Sequence, residues 1–210
     1  MNIRTSARRL RAQLLADAAL LCLLAALPGC KMAPKVDPSP LEQAGMYFNS
    51  IEQLRGLKLT EDEVTQLALA RQAGITDQDC VDLINLARRR GQPFSDGQAI
   101  AGLMRAGFSE SSVMTLARLN QLSGFAGEAQ IMRLAGLSDE VILAMARRRN
   151  AGQPVLSSAK AAQLRNVQLT NPQILQAVNR GTTDAQADAI IAQRTRAAKT
   201  FTRQRGTRRR

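Results

Sequence analysis

Two stretches of the chain, about sixty residues apart, are nearly the same: LARRRGQPFS at residues 86–95 and MARRRNAGQPVLS at residues 145–157. A second motif recurs around them, in which an apolar residue precedes Ser or Thr and then an acid or its amide. Its copies stand at residues 59–61, 75–77, 108–110, 137–139 and 169–171. Similarity at a period of about thirty residues is typical of a repeat protein, built from stacked copies of one supersecondary unit.

The repeated motif has the residues of a tight turn between two helices. Ala-Gly precedes three of its copies, at 73–74, 106–107 and 135–136. Glycine takes the left-handed conformation that ends a helix, the hydroxyl caps the free amides of the next helix, and the acid favours that helix's positive end. The Gly-Gln-Pro segments at 91–93 and 152–154 predict a second kind of turn. Each unit is therefore expected to hold two short helices.

The composition also favours helices. Aromatic residues make up 3% of the chain, and Trp and His are absent, whereas strands prefer aromatic and β-branched side chains. Short hairpins cannot bury their apolar faces alone, so neighbours must stack. We predict an all-α fold of tandem helical hairpins of about thirty residues each, forming an α-solenoid or a compact helical array over residues 40–195. The unit matches no named repeat family.

The first thirty residues have a different character. The segment MNIRTSARRLRAQ carries four Arg and no acid, a largely apolar run covers residues 14–27, and Leu-Pro-Gly-Cys follows at 27–30. A basic start, an apolar run and small residues predict a secretory signal peptide over residues 1–29. The last four residues resemble the lipobox of bacterial lipoproteins. Two residues depart from that pattern, since Pro28 replaces the usual Ala or Ser and Asp17 interrupts the apolar run.

The resemblance implies a location. It implies cleavage before Cys30 and acylation of Cys30, which would bind membrane lipid and place the chain in the cell envelope. Each buried methylene contributes about 0.8 kcal/mol to such an anchor. A Lys rather than an Asp directly after the acylated Cys, as at Lys31, resembles the sequence of lipoproteins that diderm bacteria send to the outer membrane. Residues 30–39 are then a Pro-rich tether. The alternative is an ordinary Cys in a cytosolic N-terminal helix.

The positive charge of the chain is concentrated at its C-terminus. The formal net charge is +12, and residues 194–210 contain eight basic and no acidic residues. Residues 196–210 are predicted to form a disordered basic tail, because so few apolar residues cannot form a core. We expect the tail to contact anionic lipid or polysaccharide, or nucleic acid if the chain is not exported; the alternative is a solvated end with no ligand. The arginines assigned to this tail are Arg203, Arg205, Arg208, Arg209 and Arg210.

Other arginines recur in each unit near the predicted helix ends. They are Arg88, Arg89, Arg90, Arg118, Arg147, Arg148 and Arg149, and Arg105, Arg133 and Arg165 recur on the alternate helices. Equivalent positions in a stacked array form a ladder, and guanidinium groups bind carboxylates and phosphates. The first set is therefore a candidate site for a partner or an anion. The alternative is that cations in the last turn of a helix stabilise the negative end of that same helix and solvate the surface, which needs no ligand.

The residue types exclude several kinds of catalysis. The absence of His excludes zinc sites with His ligands, Ser-His-Asp triads and Cys-His dyads. Cys80 lies at helical spacing with Leu83 and Ile84, which predicts a buried thiol. The acids at 61–63 and 77–82 have the positions of helix caps rather than of a calcium loop. We predict a protein that is not an enzyme and has no cofactor or metal.

These observations predict a membrane-anchored envelope lipoprotein that presents a helical-repeat scaffold to an unidentified envelope protein. One alternative is a cytoplasmic helical-repeat protein that binds nucleic acid through its basic tail. Another is an envelope enzyme that acts on polysaccharide through two carboxylates.

Overall fold

The computed structural model describes the backbone of residues 36–207 and the side chains of residues 36–197. The predicted signal peptide, Cys30 and the last three residues lie outside the described residues. Within the described range the backbone forms eleven α-helices and no strand. Their bounds are α1 (Ser39–Gln43), α2 (Phe48–Arg55), α3 (Glu61–Gln72), α4 (Asp77–Arg89), α5 (Gly97–Arg105), α6 (Glu110–Arg118), α7 (Leu122–Leu134), α8 (Asp139–Asn150), α9 (Ser158–Asn166), α10 (Asn171–Arg180) and α11 (Asp184–Thr207). The all-α prediction is confirmed.

Helices begin at the Ser and Thr residues of the repeated motif. The hydroxyl oxygens of Thr76 and Ser109 accept hydrogen bonds from the backbone N–H groups of Asp79 and Ser112, three residues on. The glycine before the motif takes a left-handed conformation, with φ of +106° at Gly74. Each N-cap of this kind contributes about 1 kcal/mol to helix stability. The turn predicted from the motif is therefore present, with the glycine and the hydroxyl in their expected roles.

The helices lie in two layers. The odd-numbered helices contact one another in succession from α1 to α11, and the even-numbered helices do the same from α2 to α10. The two members of each hairpin, α1–α2, α3–α4, α5–α6, α7–α8 and α9–α10, also contact each other. Among the described helices, none contacts a helix more than two places away along the chain. Contacts limited to neighbours are typical of an α-solenoid, the first of the two arrangements that the sequence left open.

The core lies between these layers and runs through all the hairpins. Each odd helix from α3 to α9 contributes two fully buried residues three positions apart, which are Leu67 and Ala70, Ile100 and Leu103, Ala129 and Met132, and Ala161 and Leu164. Burial of a large aliphatic side chain contributes about 2 kcal/mol, so stacking supplies stability that no hairpin has alone. Cys80 is also fully buried. Burial raises the pKa of its thiol to about 12, which leaves no thiolate for nucleophilic chemistry.

The C-terminal helix differs from the prediction for the tail. Helix α11 ends at Thr207 and therefore includes most of residues 196–210, for which the sequence predicts disorder. The backbone is helical there because Ala, Gln and Arg are good helix formers and because the packing of α11 on α9 provides a helix from which the chain can continue. Arg203 and Arg205 belong to this helical backbone. Residues 208–210 lie outside the described residues.

Candidate functional site

The N-terminal ends of the even helices form one edge of the solenoid, where the acids of the repeated motif join adjacent repeats. The first residue of an even helix accepts a hydrogen bond from the backbone N–H that precedes the even helix before it. These bonds run from Tyr47 N to Asp77 Oδ2 (2.8 Å), from Thr76 N to Glu110 Oε1 (2.6 Å), from Ser109 N to Asp139 Oδ2 (3.1 Å) and from Ser138 N to Asn171 Oδ1 (3.2 Å). Residues with the positions of helix caps therefore also hold the repeats in register.

Arginines at the ends of three odd helices complete this edge. Arg71 Nη1 donates to the carbonyl of Ile75 in its own turn at 3.3 Å, and its Nη2 donates to the carbonyl of Gly45 in the preceding repeat at 3.1 Å. Arg133 and Arg165 make the equivalent pairs of bonds. Each of these side chains therefore satisfies carbonyls of two repeats, which is a structural role.

Arg105 does not belong to this set, although its spacing in the sequence suggested that it does. Its Nε donates to the carbonyl of Ala101 in its own helix, at 3.2 Å. Met104 has the place that Arg71 has in α3, four residues before the apolar residue of the turn, which is Phe108 here. In α5 the arginine therefore stands one residue after the place that Arg71 has in α3. One residue of an α-helix is a rotation of about 100°, so the Arg105 side chain points away from this edge.

On the opposite edge, Arg88 forms a closed network with Glu63. Arg88 Nη1 and Nη2 donate to the two carboxylate oxygens of Glu63 at 2.6 and 2.8 Å. The backbone N–H groups of Thr60 and Phe94 donate to the same two oxygens at 2.9 and 3.0 Å. Burial of Glu63 acts to raise its pKa, but these hydrogen bonds outweigh it and lower the pKa to about 2. The Arg88 guanidinium therefore binds a group of its own chain, and its role is to stabilise the fold.

Arg90 and Arg148 bind the C-terminal end of the next even helix. Arg90 Nη2 donates to the carbonyls of Ala117 and Arg118, the last two residues of α6, at 2.6 and 3.1 Å. Arg148 Nη1 donates to the carbonyl of Asn179 in α10 at 3.2 Å. The free carbonyls at a helix C-terminus carry partial negative charge, so these two arginines stabilise the end of the neighbouring helix, whereas the alternative interpretation of the ladder expected them to stabilise the end of their own helix.

Arg149 makes its contacts nearer the surface. Its Nη1 lies 3.0 Å from Glu128 Oε1, and the two side chains are 44% and 41% exposed. Its guanidinium carbon lies 5.5 Å from the centre of the Phe125 ring, within the range of a cation–π interaction. Together with Met145 and Leu156, these residues line a small cavity between α7 and the end of α8.

Arg89, Arg118 and Arg147 are also exposed members of the predicted ladder, like Arg149. They lie in the last turns of α4, α6 and α8, which are consecutive helices of the even layer. We call these three residues the arginine edge. Packed helices lie about 8–10 Å apart, so the arginine edge is a row of guanidinium groups suited to carboxylates or phosphates.

A second cavity lies beside the turn at residues 91–96. Arg90, Ser95, Asp96 and Asn120 are among its polar lining residues. Burial raises the pKa of Asp96, and the charge of Arg90 acts in the opposite sense. Asp96 is the one carboxylate in this lining, whereas glycoside hydrolysis uses a pair of carboxyl groups. This cavity therefore lacks the pair that the polysaccharide-enzyme alternative requires.

The outer face of α7 has an apolar stripe that sequence reasoning missed. Gly124, Gly127, Ile131 and Leu134 are all exposed, Ile131 by 61% and Leu134 by 79%. Both glycines lie within the helix, and a Cβ added to either would meet no neighbouring atom within 4 Å. Glycine destabilises a helix interior by about 1 kcal/mol relative to alanine, and no contact among the described residues requires glycine here. The 3-4-3 spacing of these residues was the available signal.

Within the part of the chain that the structure describes, no helix has the length and apolar character needed to cross a bilayer. The same residues contain no group of three His, Cys, Asp or Glu side chains that could hold a metal ion. The chain matches no protein-family model, no curated protein and no solved structure. Function is therefore inferred from the geometry of this chain alone.

Proposed function

We propose that the protein is a lipid-anchored protein of the bacterial cell envelope, whose helical-repeat body is a scaffold for a protein partner. The observation that carries this proposal is the set of hydrogen bonds that joins each even helix to the next at one edge of the solenoid, with further bonds from α4 to α6 and from α8 to α10 at the other edge. A surface held in this way loses little conformational freedom when it binds. Extended rigid surfaces of this kind are what α-solenoids use for recognition.

The arginine edge defines the chemistry of the partner. Its three side chains are exposed, whereas Arg88, Arg90 and Arg148 are bound to groups of the protein itself. A row of guanidinium groups attracts a surface with carboxylates at matching intervals and speeds its association. The partner that we propose is therefore an acidic protein of the envelope.

The anchor at Cys30 is supported by two exposed aromatic residues at the start of α2. Tyr47 is 76% exposed and Phe48 is 67% exposed. The chain from Cys30 to Val36 spans at most about 20 Å when fully extended, so acylation would hold the first hairpin close to the bilayer. Aromatic side chains with one polar end are enriched at the membrane–water interface. In this proposal Tyr47 and Phe48 rest on the lipid surface.

Labelling with a radioactive fatty acid tests the anchor. The native chain should take up the label and fractionate with membranes, and Cys30→Ala should lose both properties. Cys80→Ala is the matched control and should keep them, because the Cys80 thiol is buried. An unlabelled, uncleaved chain in the cytosol would contradict the envelope assignment and would favour the nucleic-acid alternative.

Charge reversal tests the arginine edge. In the triple variant Arg89→Glu, Arg118→Glu, Arg147→Glu, we expect the amount of partner crosslinked in intact cells to fall about tenfold or more, because like charges across an interface repel. The control variant Arg105→Glu reverses an exposed charge at the end of an odd helix and should leave the crosslinked partner unchanged. Equal helicity by circular dichroism must accompany both results. Undiminished crosslinking of the triple variant would contradict the proposed edge.

Truncation tests the basic tail. A chain that ends at Gln193 lacks all eight basic residues of 194–210. It should bind anionic vesicles more weakly than the whole chain, and the difference should shrink as salt increases, because exposed charges are screened. Equal binding of both chains would show that the tail does not contact anionic surfaces.

A further inference from the structure

We propose that two copies of this chain associate through the outer face of α7, with the two α7 helices antiparallel across a twofold axis. The contact consists of Gly124, Gly127, Ile131 and Leu134, which we call the α7 seam. These residues follow one another at intervals of 3, 4 and 3, the spacing of the apolar seam between two packed helices. The seam lies on the side of α7 opposite the buried residues Phe125 and Ala129.

Comparison of the odd helices shows that this pair of large exposed apolar residues is particular to α7. Ile131 and Leu134 stand two residues before and one residue after Arg133. In the other odd helices, the residues equivalent to Ile131 and Leu134 are Leu69 and Gln72 in α3, Gly102 and Arg105 in α5, and Gln163 and Asn166 in α9. The fold itself therefore does not require two apolar residues at these positions.

The seam is complementary to itself under twofold symmetry. When two α7 helices pair antiparallel about the middle of the seam, Leu134 of each copy faces Gly124 of the other, and Ile131 faces Gly127. Each large side chain then occupies the space above a residue that has no side chain, and each contact occurs twice, as an isologous interface requires. Parallel pairing would place large residues against each other at one end and leave a gap at the other.

Antiparallel pairing also explains the two glycines. Neither has a positive φ, and neither packs against another element among the residues that the structure describes. Glycine permits the close approach of a second backbone, which a Cβ would prevent. The seam therefore accounts for residues that destabilise α7 within a single copy.

The surroundings of the seam permit such an approach. On the neighbouring helix α5, Gly102 lies beside Gln130 of α7, and a Cβ at Gly102 would come within 2.5 Å of the Gln130 amide nitrogen. Beside Gln130 the seam therefore has no side chain from α5, whereas the exposed Arg105 of α5 has the place that corresponds to Leu134. Residues 30–193 contain 17 basic and 16 acidic residues, so two bodies repel each other weakly.

Disulfide crosslinking between two differently tagged full-length chains tests the pairing. One chain carries Gly127→Cys and the other carries Ile131→Cys, and a second combination pairs Gly124→Cys with Leu134→Cys. Antiparallel helices bring these partners together, and oxidation should form a bond between the two tags. The matched controls are Ile131→Cys with Ile131→Cys and Ile131→Cys with Leu134→Cys, which should form about tenfold less, because a disulfide needs Cα atoms within about 7 Å.

The outcomes separate the possible arrangements. Bonds in both mixed combinations, with none in the controls, support the antiparallel pair. A bond between two Ile131→Cys chains and none in the mixed combinations would show parallel pairing and would overturn the proposal. No bond in any combination would also overturn it. The same result is expected with Cys30→Ala in both chains, so the pairing and the lipid anchor are tested separately.

A second pair of variants guards against loss of folding. Ile131→Gln with Leu134→Asn installs Gln163 and Asn166, the residues that α9 has at these places, so the helix should form while the two differently tagged chains no longer co-purify. Gly124→Ala with Gly127→Ala should raise the melting temperature of dilute protein and weaken its association, because alanine favours the helix and blocks the approach of the second one. Association that is unchanged or strengthened by these alanines would contradict the proposed seam.

Discussion

In the hairpins α3–α4 and α7–α8, an arginine contacts the residue at the same position of the odd helix. The residue at that position is a carboxylate in the first hairpin and an aromatic ring in the second. Counted back eight residues from Arg71 and Arg133, that position is Glu63 in α3 and Phe125 in α7. In the first hairpin, Arg88 binds the buried carboxylate with two hydrogen bonds. In the second, the guanidinium of Arg149 lies over the aromatic ring.

The two hairpins differ in how strongly each depends on one side chain. The carboxylate of Glu63 is buried and accepts hydrogen bonds from Arg88, Thr60 and Phe94, so its loss leaves several donors without a partner. The ring of Phe125 makes a cation–π contact with Arg149 and accepts no such hydrogen bonds. The first hairpin therefore depends strongly on one side chain and on its charge, whereas the second depends mainly on apolar packing.

Substitution of the buried carboxylate should have the largest effect. We expect Glu63→Gln to lower the free energy of unfolding by about 3 kcal/mol, because the buried amide leaves donors of the network without an acceptor and the partly solvated Arg88 guanidinium without its countercharge. Urea denaturation measures the change. The double variant Glu63→Gln with Arg88→Met should recover part of the loss, since it removes the uncompensated charge. Equal stability of Glu63→Gln and the native chain would show that the ion pair is unimportant.

Acid should weaken the first hairpin next most strongly. The pKa of Glu63 is about 2 in the folded chain, below the ordinary value of 4.5. This stabilisation is fully present above about pH 4.5 and is lost as the pH falls towards 2, up to about 3 kcal/mol in total. Denaturation midpoints between pH 6 and pH 2 measure it. In Glu63→Gln this part of the pH dependence should disappear, and persistence of the full dependence would contradict the assignment.

Removal of the cation from the second hairpin should have a smaller effect. We expect Arg149→Gln to lower the free energy of unfolding by about 1 kcal/mol, because the cation–π contact and a partly exposed ion pair are both lost. Thermal denaturation measures the change. A loss as large as that of Glu63→Gln would show that the two hairpins depend on charge to the same degree.

The exposed carboxylate of the second hairpin should matter least. We expect Glu128→Gln to change the free energy of unfolding by about 0.5 kcal/mol, since pairs of exposed charges contribute little. The difference should vanish at high salt, where screening is strong. Comparison of denaturation midpoints at low and high salt tests this. A change that is independent of salt would mean that Glu128 acts through packing.

The turns could be predicted from the sequence because they are decided locally. Left-handed glycine at Gly74 and the hydroxyl cap at Thr76 depend on a few consecutive residues. The helical backbone of residues 196–207 could not be predicted in the same way. Its charge indicates disorder and its helix propensity indicates a helix, and composition alone does not decide between them.

The groups that each arginine contacts could not be predicted from the sequence. Arg88, Arg89 and Arg90 are adjacent and chemically identical, but about 100° of helix rotation separates each from the next. Arg88 therefore reaches Glu63, Arg90 reaches the end of α6, and Arg89 is exposed. The partners of Arg88 and Arg90 are more than twenty residues away along the chain, so they emerge only when the register of the layers is known.

The junction between repeats along the N-terminal edge is chemically uniform. At each step a backbone N–H donates to an oxygen on the first residue of the next even helix, and that oxygen belongs to Asp, Glu or Asn. Since every such junction uses the same kind of donor and acceptor, this edge of the solenoid does not distinguish one repeat from another. A gene for this protein can therefore gain or lose whole repeats in evolution without a new junction at this edge, and each step changes how far the body extends.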